Sequence, residues 1–130
     1  MKKMLFYIAL LLSLSFNVWS QQNQQQAVIL KPVFVLEDVN FAVNVLNSIE
    51  ITGTEVEVFL NCKNTLISYI QSAQKRNKTA KDTIHCELAL TTAQSIANFL
   101  DRAKFSASQA EQFKRFIDAL VESTKNYKSN

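Results

Sequence analysis

The chain has 130 residues, with 14 basic and 11 acidic side chains and a formal charge of +3. A single glycine and a single proline exclude a turn-rich β-sandwich or barrel, which needs many chain-reversing residues. Without Lys2 and Lys3 the balance is 12 basic against 11 acidic, or +1, so the charge does not argue for a nucleic-acid partner, which needs a basic face or stripe.

The N-terminus reads as a secretory signal. Lys2 and Lys3 precede an apolar run from Met4 to Leu14, and Val18 and Ser20 occupy the minus-three and minus-one positions of a cut before Gln21. The apolar run is short of the roughly 20 residues a membrane span needs. The expectation is a cleaved signal over 1–20 and export to the periplasm or the medium, with a bacterial envelope as the setting. Membrane contact would follow only from an uncleaved signal or from the basic connector described below. The "QQNQQQ" tract that follows carries no apolar side chain, so 21–27 is expected to be a flexible spacer. Residues 28–124 are expected to form one small domain, and the polar stretch 125–130 a fraying tail.

Two helical hairpins are predicted within that domain. Val39, Ala42, Val43, Leu46 and Ile49 make one apolar stripe. Val56, Phe59, Leu60, Leu66, Ile67, Ile70 and Ala73 make the next. Ala93, Ile96, Ala97, Leu100 and Ala103 make a third, and Ala110, Phe113, Ile117, Leu120 and Val121 a fourth. All have helical spacing. Helix starts are expected at the capping boxes Thr54–Glu57, Thr91–Gln94 and Ser108–Glu111. Glu37 and Asp38 supply negative charge at the start of the first helix.

Ahead of each hairpin lies an extended-looking piece. "AVILKPVFVL" is β-branched around Pro32, and "TIHCELAL" alternates Ile84, Cys86, Leu88 and Leu90 with His85, Glu87 and Ala89. That alternation favours short strands over an extension of the following helix, although Pro32 would be tolerated in a first helical turn.

Sliding the chain by 54 positions aligns the two hairpins. Leu36 meets Leu90, Asn44 meets Asn98, Leu46 meets Leu100, Glu57 meets Glu111, Phe59 meets Phe113 and Leu66 meets Leu120. Six of 31 aligned positions from 36 to 66 are identical without a gap, and they fall on stripe and cap positions. The fold expected is mainly α, with a duplicated helical hairpin (about 28–75 and 82–124) forming a four-helix domain. The lone glycine, Gly53, aligns with Ala107, so a left-handed backbone is not expected there.

The constellations that could carry chemistry are few. Cys62 and Cys86 remain after the signal, and an even count in an exported chain points to a disulfide between them. Lys75, Arg76, Lys78 and Lys81 form the one basic cluster, a candidate contact for an anionic surface or a solvated connector. His85 beside Cys86 lacks the further ligands of a metal site and the oriented base of a thiol nucleophile. With one glycine there is no phosphate-binding loop. No catalytic, cofactor or metal residues are therefore expected, and the chain reads as a non-enzyme.

The leading functional reading is an exported module that binds another envelope or extracellular macromolecule, or associates with itself. A carrier of a small apolar ligand lined by Phe34, Phe59, Phe99, Phe113 and Phe116 is the alternative. An inhibitor of an envelope enzyme belongs with the first reading.

Overall fold

The computed structural model describes residues 28–129, with side chains over 28–127. The expected signal and spacer therefore lie outside the described residues. The fold is mainly helical with two small antiparallel strand pairings. In chain order the elements are β1 (Ile29–Leu30), β2 (Val33–Val35), α1 (Leu36–Leu46), a 3-10 turn (Gly53–Glu55), α2 (Val56–Lys75), β3 (Thr83–His85), β4 (Leu88–Ala89), α3 (Leu90–Leu100) and α4 (Ala107–Ser129).

The strands form one interrupted ribbon. Ile29 and Leu30 pair with Ala89 and Leu88, and Val33, Phe34 and Val35 pair with His85, Ile84 and Thr83. The same register continues at both ends, where the Leu36 amide donates to the Asp82 carbonyl at 2.9 Å and the Leu90 amide to the Val28 carbonyl at 2.9 Å. The break falls at Pro32. The Cys86 amide donates to the Pro32 carbonyl at 3.0 Å, but proline has no N–H with which to return the bond. Leu30, Phe34, Ile84, Cys86 and Leu88 point into the core, while Ile29, Val33 and His85 face water. The alternation seen in the sequence is thus a strand period.

Each strand feeds its helix directly. α1 and α3 begin without a side-chain cap, because the first amide of each is already taken by the opposite strand. The box expected at Thr91–Gln94 is not formed. The other two boxes form two residues earlier than expected. The Thr52 amide donates to Glu55 Oε1 at 2.9 Å, and the Ser106 amide to Gln109 Oε1 at 3.0 Å. The Ser/Thr-x-x-Glu/Gln pattern occurs in two overlapping frames at each corner, and at the first the frame whose first residue is extended (Thr52, φ −87°, ψ 161°) serves as the cap. Gly53 has no positive φ, and a Cβ there would meet nothing within 4 Å, so glycine is not required.

α2 ends in a Schellman motif. Asn77 takes the left-handed conformation at φ 59°, the Lys78 amide donates to Ala73 and the Asn77 amide to Gln74, both at 3.0 Å. α4 continues through Lys125 to Ser129, so the polar tail extends the helix. It contains no glycine or proline to stop one.

Aromatic rings join the layers. Phe34 stacks on Phe116 at 4.5 Å and Phe105 on Phe113 at 4.6 Å, and Phe59 meets Phe99 edge-on at 5.4 Å. The expected stripes are buried in α1, α3 and most of α4. In α2 the stripe is corrected: Val56 and Leu60 are 41% and 45% exposed, and Cys62 takes the core position instead. The 54-residue spacing recurs in the element bounds, since α1 and α3 are both 11 residues long and start and end 54 apart.

Candidate functional site

Two helix junctions stand at corresponding places, 54 residues apart in sequence. The first joins the start of α1 to the middle of α4, and side chains fill it. Asp38 is 2% exposed. The Arg115 guanidinium grips it with both arms, Nε donating to Oδ2 at 3.2 Å and a terminal nitrogen to Oδ1 at 2.9 Å. Arg115 also reaches Glu37 at 3.4 Å, and Gln112 donates to the Glu37 carbonyl at 3.2 Å. The Asp38 hydrogen bond raises the Arg115 pKa further, with smaller contributions from Glu37 and Glu111.

The second junction joins the start of α3 to the first turns of α2, and it is open. A groove of about 420 Å³ is lined by Glu57, Val58, Asn61 and Cys62 from α2 and by Thr91, Thr92 and Ser95 from α3. At the positions of Asp38, Arg115, Phe41 and Phe116 stand Thr92, Asn61, Ser95 and Cys62. Each replacement is smaller, neutral or both. The Ser95 hydroxyl donates to the Thr91 carbonyl at 2.9 Å. Among the described residues, the side chains of Glu57, Asn61, Thr91 and Thr92 have no hydrogen-bond partner. Val58, on the groove wall, is 47% exposed.

Cys62 forms the floor. It is fully buried, with its thiol 3.9 Å from the Thr92 carbonyl. Burial pushes the Cys62 thiol up to about 11 and the Cys86 thiol up to about 12, so neither is a ready nucleophile at neutral pH. Both cysteines are free, and the expected Cys62–Cys86 bridge is not formed. The ribbon explains the difference. The Tyr69 hydroxyl donates to the Glu87 carbonyl at 3.0 Å and accepts from its amide at 2.9 Å, which sets Cys86 beside the Tyr69 turn of α2. Cys62 lies seven residues earlier in α2, about two helical turns, and its thiol faces the Thr92 carbonyl of α3 instead.

The basic cluster is exposed on the turn after α2, but its charges are partly spent. Lys81 pairs with Glu37 at 3.0 Å. Lys78 acts on Asp82, whose pKa is lowered chiefly by the Thr79 amide and less by the lysine. Lys75 lies in the last turn of α2 and Arg76 caps it, where positive charge suits the helix end. His85 is exposed on β3, and no group of three or more metal-ligating side chains occurs among the described residues. Phe34, Phe59, Phe99, Phe113 and Phe116 are all core residues that pack on one another or on neighbouring elements.

No helix among the described residues is long and apolar enough to cross a membrane. The groove escaped the sequence reading, although the signal for it was in the 54-residue alignment: Asp38 and Arg115 fall on Thr92 and Asn61. Comparison with known protein families, with curated proteins and with solved structures finds no match.

Proposed function

We propose that this chain is an exported, non-catalytic helical module that binds another macromolecule of the envelope or extracellular space, and that it is built from a duplicated strand–helix–helix unit. The duplication is supported by the matching bounds of α1 and α3 and by caps at Thr52 and Ser106, again 54 apart. Export rests on the sequence of the first 20 residues.

The observation that carries the binding reading is the open α2–α3 junction. In a duplicated fold both junctions have the same backbone frame, so an unfilled one reflects side-chain choice rather than topology. Val56, Val58 and Leu60 add exposed apolar surface to the same two turns of α2, and such surface suits a partner. The carrier of an apolar ligand is less favoured, because its five phenylalanines serve as core. An anionic-surface role for Lys75, Arg76, Lys78 and Lys81 is less favoured because acidic neighbours act on two of the four.

A photo-crosslinking side chain at Val58, in the chain expressed in its native host, tests the proposal. One dominant adduct is expected at Val58 and none at Gln112, its counterpart in the filled junction. Equal labelling at both positions, or none at either, would reject the reading.

A further inference from the structure

The filled junction indicates what closes a junction of this shape. There the chain supplies a carboxylate, Asp38, from one helix and a guanidinium, Arg115, from the other. The open junction lacks both, since Thr92 and Asn61 occupy those positions. It keeps one charge of the set: Glu57 stands where Glu111 does, and Glu111 lies one turn before Arg115 on the same helix and acts on its guanidinium. Among the described residues Glu57 has no cation facing it, and no groove residue is basic.

We infer that the α2–α3 groove receives an oppositely charged side-chain pair, an arginine and a carboxylate about one helical turn apart, carried on a peptide segment of the partner. The inference rests on the proposed function for the existence of a partner, and it specifies the chemistry. A guanidinium in the groove would meet the Glu57 carboxylate and the Asn61 carbonyl oxygen. A carboxylate would accept from the Thr91 and Thr92 hydroxyls and the Asn61 amide. An isolated anion such as phosphate would face Glu57 with no lining cation to offset it. An isolated cation would meet Glu57 and the threonine oxygens but leave the Asn61 amide donors unmatched. The pair satisfies both sets of groups, and about 420 Å³ holds two side chains of this kind.

The test uses the purified protein and a capped alanine peptide with Asp and Arg four positions apart, the spacing at which helical side chains meet. The peptide is expected to shift the amide resonances of Glu57, Asn61, Thr91 and Thr92 saturably. Affinity should fall roughly fivefold between about 0.05 and about 0.5 M salt, as for an exposed charge contact. The charge reversal Glu57→Lys, at an exposed position, should weaken binding by a similar factor. The double variant N61R/T92D, which restores an internal pair, should abolish it. Absence of a saturable shift at millimolar peptide would overturn the inference. So would equal shifts from a peptide with alanine in place of both charged residues. Crosslinking at Val58 without peptide binding would overturn this partner chemistry while leaving the binding module in place.

Discussion

The two helix junctions are built from residues 54 apart in sequence and differ in what fills them. Between α1 and α4, Asp38 and Arg115 close the space with an ion pair, while Phe41 meets Phe105 and Phe116 stacks on Phe34 beside it. Between α3 and α2, Thr92, Asn61, Ser95 and Cys62 leave a groove. If the proposed duplication holds, side-chain choice and not backbone placement makes the groove. The contrast is a division: one junction is closed by an ion pair, and the other stays open at modest cost, since its polar side chains remain in contact with water.

The division can be broken first at the aromatic position. Phe116 is fully buried and stacks on Phe34 of the ribbon. Phe116→Ala should cost about 3–5 kcal/mol through lost transfer energy and a cavity. Cys62→Ala, at the corresponding place, should cost about 1 kcal/mol, because a small residue on the floor of a groove loses little packing. Urea unfolding of the two variants measures both. Equal losses would mean that the two junctions bear load equally.

Arg115 and Asn61 form the second contrast. Arg115→Ala strands the Asp38 carboxylate, which is nearly inaccessible to water. Removing one partner of a fully buried pair costs about 3–5 kcal/mol, but half of the Arg115 side chain is solvated, so a loss of about 2 kcal/mol is expected. Asn61→Ala should stay within about 0.5 kcal/mol, as at other exposed sites without partners. A large loss at Asn61 would show that the groove is held by contacts of its own.

Local rules reached much of this architecture from the sequence. The alternation of Ile84, Cys86, Leu88 and Leu90 is the inward face of the ribbon, and the stripes Val39–Leu46 and Ala93–Leu100 are the inner faces of α1 and α3. These were legible because periodicity in the sequence is periodicity in space. Features set by the tertiary structure were not. The burial of Asp38 depends on α4, which lies far along the chain, and the cap frame at Thr52 was chosen between two overlapping patterns by the 3-10 turn. The cysteines failed for a similar reason, because a parity argument counts residues and cannot tell which turn of α2 the ribbon meets. The thiols themselves give a test. A thiol reagent at pH 8 should find neither Cys62 nor Cys86 in the native protein, and both after unfolding. Their folded pKa values, about 11 and about 12, lie above the ordinary 9.0. Their contribution to stability is therefore complete below about pH 9 and is lost as the pH rises toward those values.

The smallest contrast lies at the two hairpin corners. Both corners cap a helix with the same geometry, but the residue that reaches back is Glu55 in one and Gln109 in the other. The Arg102 guanidinium, which also lies over the Phe99 ring at 5.1 Å, pairs with Glu55 and donates to the Glu50 carbonyl. That hydrogen bond, and then the Thr52 amide, hold the Glu55 carboxyl down to about 2 from its ordinary 4.5. The folded value is depressed, so the stabilising contribution is present above about pH 4.5 and is lost as the pH falls toward 2. Gln109 does not titrate. Acid should therefore loosen the first corner and leave the second unchanged. Hydrogen exchange, corrected for the intrinsic rate at each pH, should show the Thr52 amide losing protection between about pH 4.5 and pH 2 while the Ser106 amide keeps its own. Glu55→Gln should make the two corners respond alike. If Thr52 still loses protection in that variant, the acid sensitivity comes from another carboxylate, and the corner differs from its counterpart only in charge.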